Sequence, residues 1–575
     1  MEKEDEMESN GLTRRELFLM GNAVALPTLL GRLEAPLEAA AAAGPLTPGP
    51  QIYQSIGVEP VINCRGTFTI IGGSVERPEV RAAMDAAARY FVQIDELADA
   101  VGRRLAELTG AEWGMVSAGC AAGLKHVTVA CVTGGNPEKL IRIPDLSGLD
   151  KTEVIVPRSS RNVYDHAVRN VGVKMVTVES IEELERAINP RTAMIYLMAD
   201  SGPNALLESV ARVAGPKNIP ILVDAAAEVL TIPNVHLQRG ATIVAYSGGK
   251  AICGPQCAGL LLGRKDILQS AWQASAPHHG PGRDNKVGRE ETLGMLAAVE
   301  AWVKRDHAAE WKTWLGWLDT ISKRVSNIDG VQMAIREPTE LSNKSPSLAI
   351  TWDAAALNVM GDEVAEELAT TKPRIAVGAG AGGGRAAQAA APGTTGITIT
   401  AWQMQPGDDK VVAERVHAVL SRKRPPRTTE MPPPAGDVSG RWDVDVEFSS
   451  SRSVHTLQIE QDGNWIQGSH RGDFSTRELV GMIEGDKVTL RSVDQRPGNS
   501  ITFIFAGTLA NGTISGPIHL GEYLTARFTA RRHSYTTTRT RIRVPSGPPL
   551  ATGEGPRSAN AYRRRVDVIR HVRTR

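Results

Sequence analysis

Three short stretches of the 575-residue sequence place small residues and a charge-bearing group at the end of an apolar run. Ser117-Ala118-Gly119-Cys120-Ala121-Ala122 follows Trp113-Gly114-Met115-Val116 and opens a helical period. Small residues at a helix N-terminus leave backbone N–H groups free to face an anion. Asp224 closes Ile219-Pro220-Ile221-Leu222-Val223, and a buried carboxylate there is costly without a cationic or N–H partner. Lys250 follows the run 242–246 through Ser247-Gly248-Gly249, glycines that let a lysine amine approach a ligand closely. Each stretch alone has a plainer explanation: a tight strand–helix turn, a helix N-cap, an exposed turn lysine. Together they supply the parts of a pyridoxal phosphate site. The phosphate sits on the helix N-terminus, Asp224 keeps the pyridine nitrogen protonated, and Lys250 forms the Schiff base.

Such groups need a scaffold that gathers strand ends. From Ile52 to about Ser421, β-branched runs at 113–116, 154–156, 175–178, 193–197, 219–223 and 242–246 alternate with helical periods, among them 78–91, 96–108 and 182–187. Strands spaced by helices predict an α/β fold with a mainly parallel sheet covered on both faces. In such folds ligands bind at the carboxyl ends of the strands, where the three stretches fall.

Further stretches in the same order carry a family resemblance: Val61-Ile62-Asn63-Cys64-Arg65-Gly66-Thr67, Gln93-Ile94-Asp95-Glu96-Leu97, Ser117-Ala118-Gly119, Val223-Asp224-Ala225-Ala226-Ala227-Glu228, Tyr246-Ser247-Gly248-Gly249-Lys250-Ala251-Ile252-Cys253-Gly254-Pro255-Gln256 and Lys286-Val287-Gly288-Arg289-Glu290-Glu291. Over about 51–421 the chain resembles the selenocysteine-synthase-like branch of fold-type-I pyridoxal phosphate enzymes. That branch includes seryl-tRNA selenium transferase and the glucosaminate-6-phosphate ammonia-lyase group. The resemblance implies a PLP-transferase-like large domain with a small α/β domain, and a homodimer. It makes Lys250 the Schiff-base lysine and Asp224 the pyridinium partner, and sets Ser117, Gly119, Cys120 and Ser247 at the phosphate. It puts Arg374 where the family places substrate-side groups, as a carboxylate fork, and Lys286 in a loop that in homodimers of this class reaches the neighbour's site. Arg65, after a strand-like run, is read as holding either the substrate carboxylate or an ion pair in the core. The family's ring-stacking aromatic is expected near the start of 158–166. Ser159 and Ser160 occupy that place, which leaves the stacking to His166 or to no residue. Gly378-Ala379-Gly380-Ala381-Gly382-Gly383-Gly384-Arg385 is a flexible insert in the small domain.

The ends of the chain add an address and a second module. Residues 1–43 carry Arg14-Arg15, a short apolar region and Ala39 to Ala43, which resembles a twin-arginine signal. This implies the twin-arginine export machinery as a partner, a periplasmic or extracellular location, and no stable membrane anchor after cleavage. The large domain is expected over 51–320 and the small one over 321–422, followed by a stiff Pro-rich linker, 423–436. Period-two alternation from Trp442 onward, with turns at Gln461-Asp462-Gly463-Asn464 and Ala510-Asn511-Gly512, predicts an antiparallel barrel or sandwich over 437–533. Gly440-Arg441-Trp442 is similar to the opening of lipocalin-like barrels. Residues 534–575 hold ten Arg and two acids, a net +8 against +1 for the whole chain, and read as a disordered solvated arm.

Composition narrows the function classes. The chain is 42% hydrophobic and 22% charged, ordinary for a globular protein and unlike a disordered one. Its five cysteines are too few for a disulfide scaffold, and Cys253 and Cys257 read as ordinary thiols. His278-His279 lacks a surrounding ligand set, so no metal is expected. The expected function is a lyase that carries out α,β-elimination on a small amino acid or amino-sugar acid, with no nucleic-acid partner. The alternatives are a selenium transferase on seryl-tRNA and an inert scaffold for the β module.

Overall fold

A computed structural model describes residues 44–200, 206–380, 393–426 and 430–535. The export-type segment 1–43, residues 381–385 of the Gly-rich insert and the tail from 536 onward lie outside the described residues.

The middle of the chain folds around a seven-stranded sheet. Its strands are Trp113–Ser117 (β1), Glu153–Pro157 (β2), Lys174–Val178 (β3), Thr192–Met198 (β4), Ile221–Asp224 (β5), Ile243–Ser247 (β6) and Gly259–Gly263 (β7), in the spatial order β1-β7-β6-β5-β4-β2-β3. The six runs expected from the sequence all run parallel. The seventh, β7, is antiparallel to both of its neighbours. Its Gly-Leu-Leu-Leu-Gly sequence is fully buried and continuous, so it lacks the alternation that marks a strand.

Side chains leave the sheet alternately, which builds two cores. Val154, Val156, Met194, Tyr196, Leu222 and Ala245 face one layer, which includes Val127, Ala130, Ile267 and Ala271. Ile155, Ile195, Leu197, Val223, Val244 and Tyr246 face the other, with Val80, Val101, Leu105 and Met295. The helices that supply these residues are Pro78–Ala87 (α1), Ile94–Thr109 (α2), Cys120–Thr133 (α3), Lys265–Ala274 (α4) and Arg289–Lys304 (α5). In α2 the Gln93 side chain accepts from the Asp95 and Glu96 N–H groups, and Gly110 at φ 72° ends the helix. In α3 nearly every residue is buried, which makes it the central helix beneath the site.

The small domain is an antiparallel sheet of Val331–Arg336, Ser347–Asp353, Gly378–Ala379 and Thr394–Thr400. Leu348, Ile350, Ile397 and Ile399 form its core with Leu318, Ile321, Val412 and Val416. Asn63, in the segment ahead of α1, pairs in parallel with Ala376, which ties that segment to this domain.

Beyond the linker lies a closed eight-stranded antiparallel barrel: Gly440–Glu447 (β8), Arg452–Asp462 (β9), Trp465–Arg471 (β10), Thr476–Glu484 (β11), Lys487–Arg496 (β12), Asn499–Ala510 (β13), Thr513–His519 (β14) and Thr525–Arg532 (β15). Closure removes both sheet edges, so the module is a barrel and not a sandwich. Asn511 at φ 51° and Gly512 at φ 71° make the β13–β14 turn. Trp442 is fully buried, donates from Nε1 to the Val438 carbonyl and carries the Arg532 guanidinium on its ring at 4.8 Å. The end of the Pro-rich segment packs on the barrel: the Ala435 N–H donates to the Gly485 carbonyl, and Val438 enters the barrel core.

Candidate active site

Parallel pairing sets the carboxyl ends of the strands on one edge. Met198 lies opposite Asp224, Asp224 opposite Ala245, and Gly259 opposite both Ser117 and Ser247. The three stretches singled out in the sequence therefore meet.

Asp224 is 2% exposed. One carboxylate oxygen accepts from the Ala226 N–H at 3.1 Å and from the Cys120 thiol at 3.7 Å. The other accepts from the Tyr196 hydroxyl at 2.9 Å. Burial pushes its pKa above the ordinary carboxylate range, against these hydrogen bonds and the Lys250 charge. The buried carboxylate is thus surrounded by neutral donors, and a cationic N–H placed against it would relieve the strain of burial. Burial, reinforced by the Asp224 charge, holds the Cys120 thiol well above its usual range, so it remains a donor.

Gly119, at φ 84°, caps α3, and the backbone N–H groups of its first turn face the same edge. The Ser117 side chain is turned away: it is fully buried and donates to the Gly119 carbonyl at 2.8 Å, which shapes the turn. Ser247 ends β6 and is partly buried. Past it, the Gly248 N–H donates to the Ala258 carbonyl, and a Cβ on Gly249 would lie 2.4 Å from Gln256 Cα. That close packing requires glycine and fixes where Lys250 leaves the backbone. The segment after Arg65 reaches the same turn, since the Ser74 N–H donates to the Gly249 carbonyl. Arg65 is half-buried with its guanidinium 4.6 Å from the Phe68 ring centroid, and burial lowers its pKa.

Two expected residues spend their polar groups elsewhere, and a third stands in solvent. Arg374 spends its guanidinium on the Ala369 and Glu59 carbonyls, at 2.7 and 3.2 Å, and braces the small domain against the N-terminal segment where a fork was expected. His166 is exposed and faces Asn499 of the barrel, so its ring is engaged away from the cofactor edge. Lys286 is exposed, in a loop held by Lys125 through Asp284 and Asn285. Cys253 and Cys257 are free thiols.

Three further residues belong to the site. Tyr196, fully buried, donates to Asp224, and Asn162 donates to the Tyr196 hydroxyl at 3.1 Å. The signal was the tyrosine inside an otherwise apolar run, because a buried phenol needs a partner. Tyr164 lies on the turn Val163–Asp165, 57% exposed at the rim of the site, and partial desolvation, then the Asp224 and Glu522 charges, raise its pKa. It is the aromatic of this segment, five residues beyond Ser159.

The comparisons agree with this geometry. Residues 163–285, which contain both Asp224 and Lys250, match the aminotransferase class-V family. A D-glucosaminate-6-phosphate ammonia lyase of Salmonella typhimurium is 31% identical over 332 residues, 56% of this chain and 87% of that protein. A 5'-C-glycyluridine monooxygenase-decarboxylase of Streptomyces is 29% identical, over 56% of this chain and 83% of that protein. A solved D-glucosaminate-6-phosphate ammonia-lyase structure superposes with a TM-score of 0.56 at 26% identity, covering 65% of this chain and all of that one. Fold and site define a fold-type-I pyridoxal phosphate enzyme with an added β-barrel. The chain belongs to the selenocysteine-synthase-like branch of that class, together with the glucosaminate-6-phosphate ammonia-lyase group. The buried Asp224 carboxylate, the free N–H end of α3 and Lys250 fit the cofactor.

Proposed function

We propose that the chain is a lyase that removes the β-substituent of a small amino acid or amino-sugar acid by α,β-elimination. The observation that carries this is the meeting of Asp224, Lys250 and the α3 N-terminus on one sheet edge. The 31% identity to an ammonia lyase supports the substrate class. Pyridoxal phosphate, when bound, supplies a sink for the electron pair left at the substrate Cα. Asp224 holds the ring nitrogen in its protonated state, and the α3 N–H groups bind the phosphate. The Lys250 amine takes the Cα proton as general base. Arg65, in the segment against Gly249, offers its guanidinium to the substrate carboxylate. We further place the protein as a homodimer exported by the twin-arginine route, on the strength of the segment 1–43 and the family.

The test is Lys250→Ala. It is expected to lose both the visible absorbance of lysine-bound cofactor and the release of keto acid from a panel of small amino acids and amino-sugar acids. Retention of both would refute the assignment of Lys250.

A further inference from the structure

One face of the barrel is seated on the large domain beside the site. The β12–β13 turn, 496–499, meets the segment 158–169. Arg161 Nη2 donates to the Pro497 carbonyl at 3.0 Å. The Asn499 side chain, with its amide nitrogen toward His166, donates to His166 Nε2 at 3.0 Å and accepts from Arg169 Nη2 at 3.2 Å. Gly498 at φ 81° packs so closely that a Cβ would fall 2.8 Å from Asp165 Oδ2 and 3.0 Å from the Asn162 carbonyl.

The two arginines are aimed by one acid. Asp165 is fully buried and accepts from Arg161 Nε at 2.5 Å and from Arg169 Nε at 2.8 Å. Arg161 Nη1 also donates to Thr177 on β3 at 2.9 Å, which anchors the clamp to the sheet. Paired charges this buried are geometrically demanding, and they leave only the outer N–H groups to grip the barrel.

The gripped segment needs such support. It consists of the single turns Arg158–Ser160 and Val163–Asp165 and the four-residue helix His166–Arg169, each too short to be stable alone. Within it Asn162 receives the Tyr164 N–H on Oδ1 at 2.7 Å and donates from Nδ2 to the Ser160 carbonyl and the Tyr196 hydroxyl. Tyr196 in turn donates to Asp224. A continuous run of contacts therefore joins the barrel turn to the buried acid.

We propose that the barrel is a positioning element of the active site: its turn 496–499, gripped by Arg161 and Arg169 on Asp165, holds Asn162 on the Tyr196 hydroxyl that donates to Asp224, and so sets the affinity for the cofactor. The inference rests on the reading of Asp224 as the partner of the cofactor's ring nitrogen. Loosening the turn lowers the fraction of time the segment is ordered, and apparent affinity falls by that fraction.

The experiment uses the full chain, stripped of cofactor, as wild type, Gly498→Val and Arg169→Gln. Gly498→Val pushes the turn off from the barrel side. Arg169→Gln loosens it from the other side and leaves the barrel untouched, which covers the case in which the first variant misfolds. Two readouts are taken: amide hydrogen exchange of residues 158–169 without cofactor, and the dissociation constant for pyridoxal phosphate. Both variants are expected to exchange this segment about tenfold faster and to bind the cofactor about tenfold more weakly, with barrel strands protected as in wild type. Exchange and affinity both within about twofold of wild type in Arg169→Gln would overturn the proposal. If Lys250→Ala loses the lysine-bound absorbance while Arg169→Gln is unaffected, the positioning role alone fails. If the wild type takes up no pyridoxal phosphate, the site reading fails and the proposal with it.

Discussion

Asp224→Asn separates cofactor binding from folding, because in the empty protein the Lys250 charge and neutral donors only partly offset the burial of the carboxylate. In wild type the carboxylate is 2% exposed and meets the Ala226 N–H, the Cys120 thiol and the Tyr196 hydroxyl, all neutral. The new amide keeps its oxygen on Ala226 and Cys120. Its nitrogen meets the Tyr196 hydroxyl, which can accept from it and from Asn162 while turning its own proton to Met198 Sδ, 3.6 Å away. The second amide N–H gains no partner among these groups, a cost offset by removal of the buried charge, so the stability of the cofactor-free protein should change little. Cofactor binding should suffer heavily. Removing one partner of a buried charge pair costs about 3–5 kcal/mol, or about two to three and a half orders of magnitude in affinity.

The pH dependence gives a second handle with a definite sign. Burial raises the native pKa of Asp224 above that of the unfolded chain. The native state therefore binds more protons between the two values, and stability contributed by this group falls as pH rises through the native one. Calorimetry of the cofactor-free protein should show that fall in wild type and a flatter profile in Asp224→Asn. Fluorescence titration with pyridoxal phosphate measures the affinity. An Asp224→Asn protein that binds the cofactor within about tenfold of wild type would refute the role given to the carboxylate.

Two other perturbations test the scaffold. Gly249→Val puts side-chain atoms against the Gln256 backbone, where even a Cβ would sit 2.4 Å away, and should destabilise by about 1–3 kcal/mol in a denaturant titration and displace Lys250. In the barrel, burial and the neighbouring His455 and Arg477 push His470 down to about 3. The unfolded chain then binds the extra proton from its ordinary pKa downward, so this stability is present near neutrality and is lost as pH falls toward that value. Proton NMR of the His470 ring should show no titration near its ordinary pKa while the barrel remains folded.

Much of this architecture can be read from residue patterns, and the exceptions share a physical cause. The six parallel strands announce themselves as short β-branched runs between helical periods, while β7 is a uniform apolar run whose identity depends on its neighbours. Asp224 and Lys250 stand at strand ends where fold logic puts chemistry. Arg374 falls where the family places substrate-side groups and His166 is the substitute for a missing aromatic, yet each also meets a group over 300 residues away in sequence, the Glu59 carbonyl and Asn499. Tyr196 was visible as a strand residue and not as a site residue, because its partner is set by the pairing of β4 with β5. Asn162 depends on that pairing in turn. The i,i+4 spacing of Arg161, Asp165 and Arg169 is itself a local pairing signal, but the contacts from that clamp to the barrel have no periodicity, so the seating of Gly498 could not be anticipated.

The energetics of Asp224 also decide between an enzyme and an inert carrier for the barrel. A scaffold gains nothing from a carboxylate buried among neutral donors, since an amide or a small apolar residue would fold there at lower cost. The surroundings instead support the charge: Tyr196 is held by Asn162, Asn162 by its own turn, and the turn by two arginines and the barrel. Because the Lys250 charge and these donors still leave the Asp224 pKa raised, support of that depth fits a site that receives a cationic N–H. The barrel is then part of the apparatus that keeps the site ready, and a chain cut at the Pro-rich segment should bind pyridoxal phosphate more weakly than the intact protein while its seven-stranded sheet stays folded. Equal affinity in the two forms, measured by the same fluorescence titration, would return the barrel to the role of passenger.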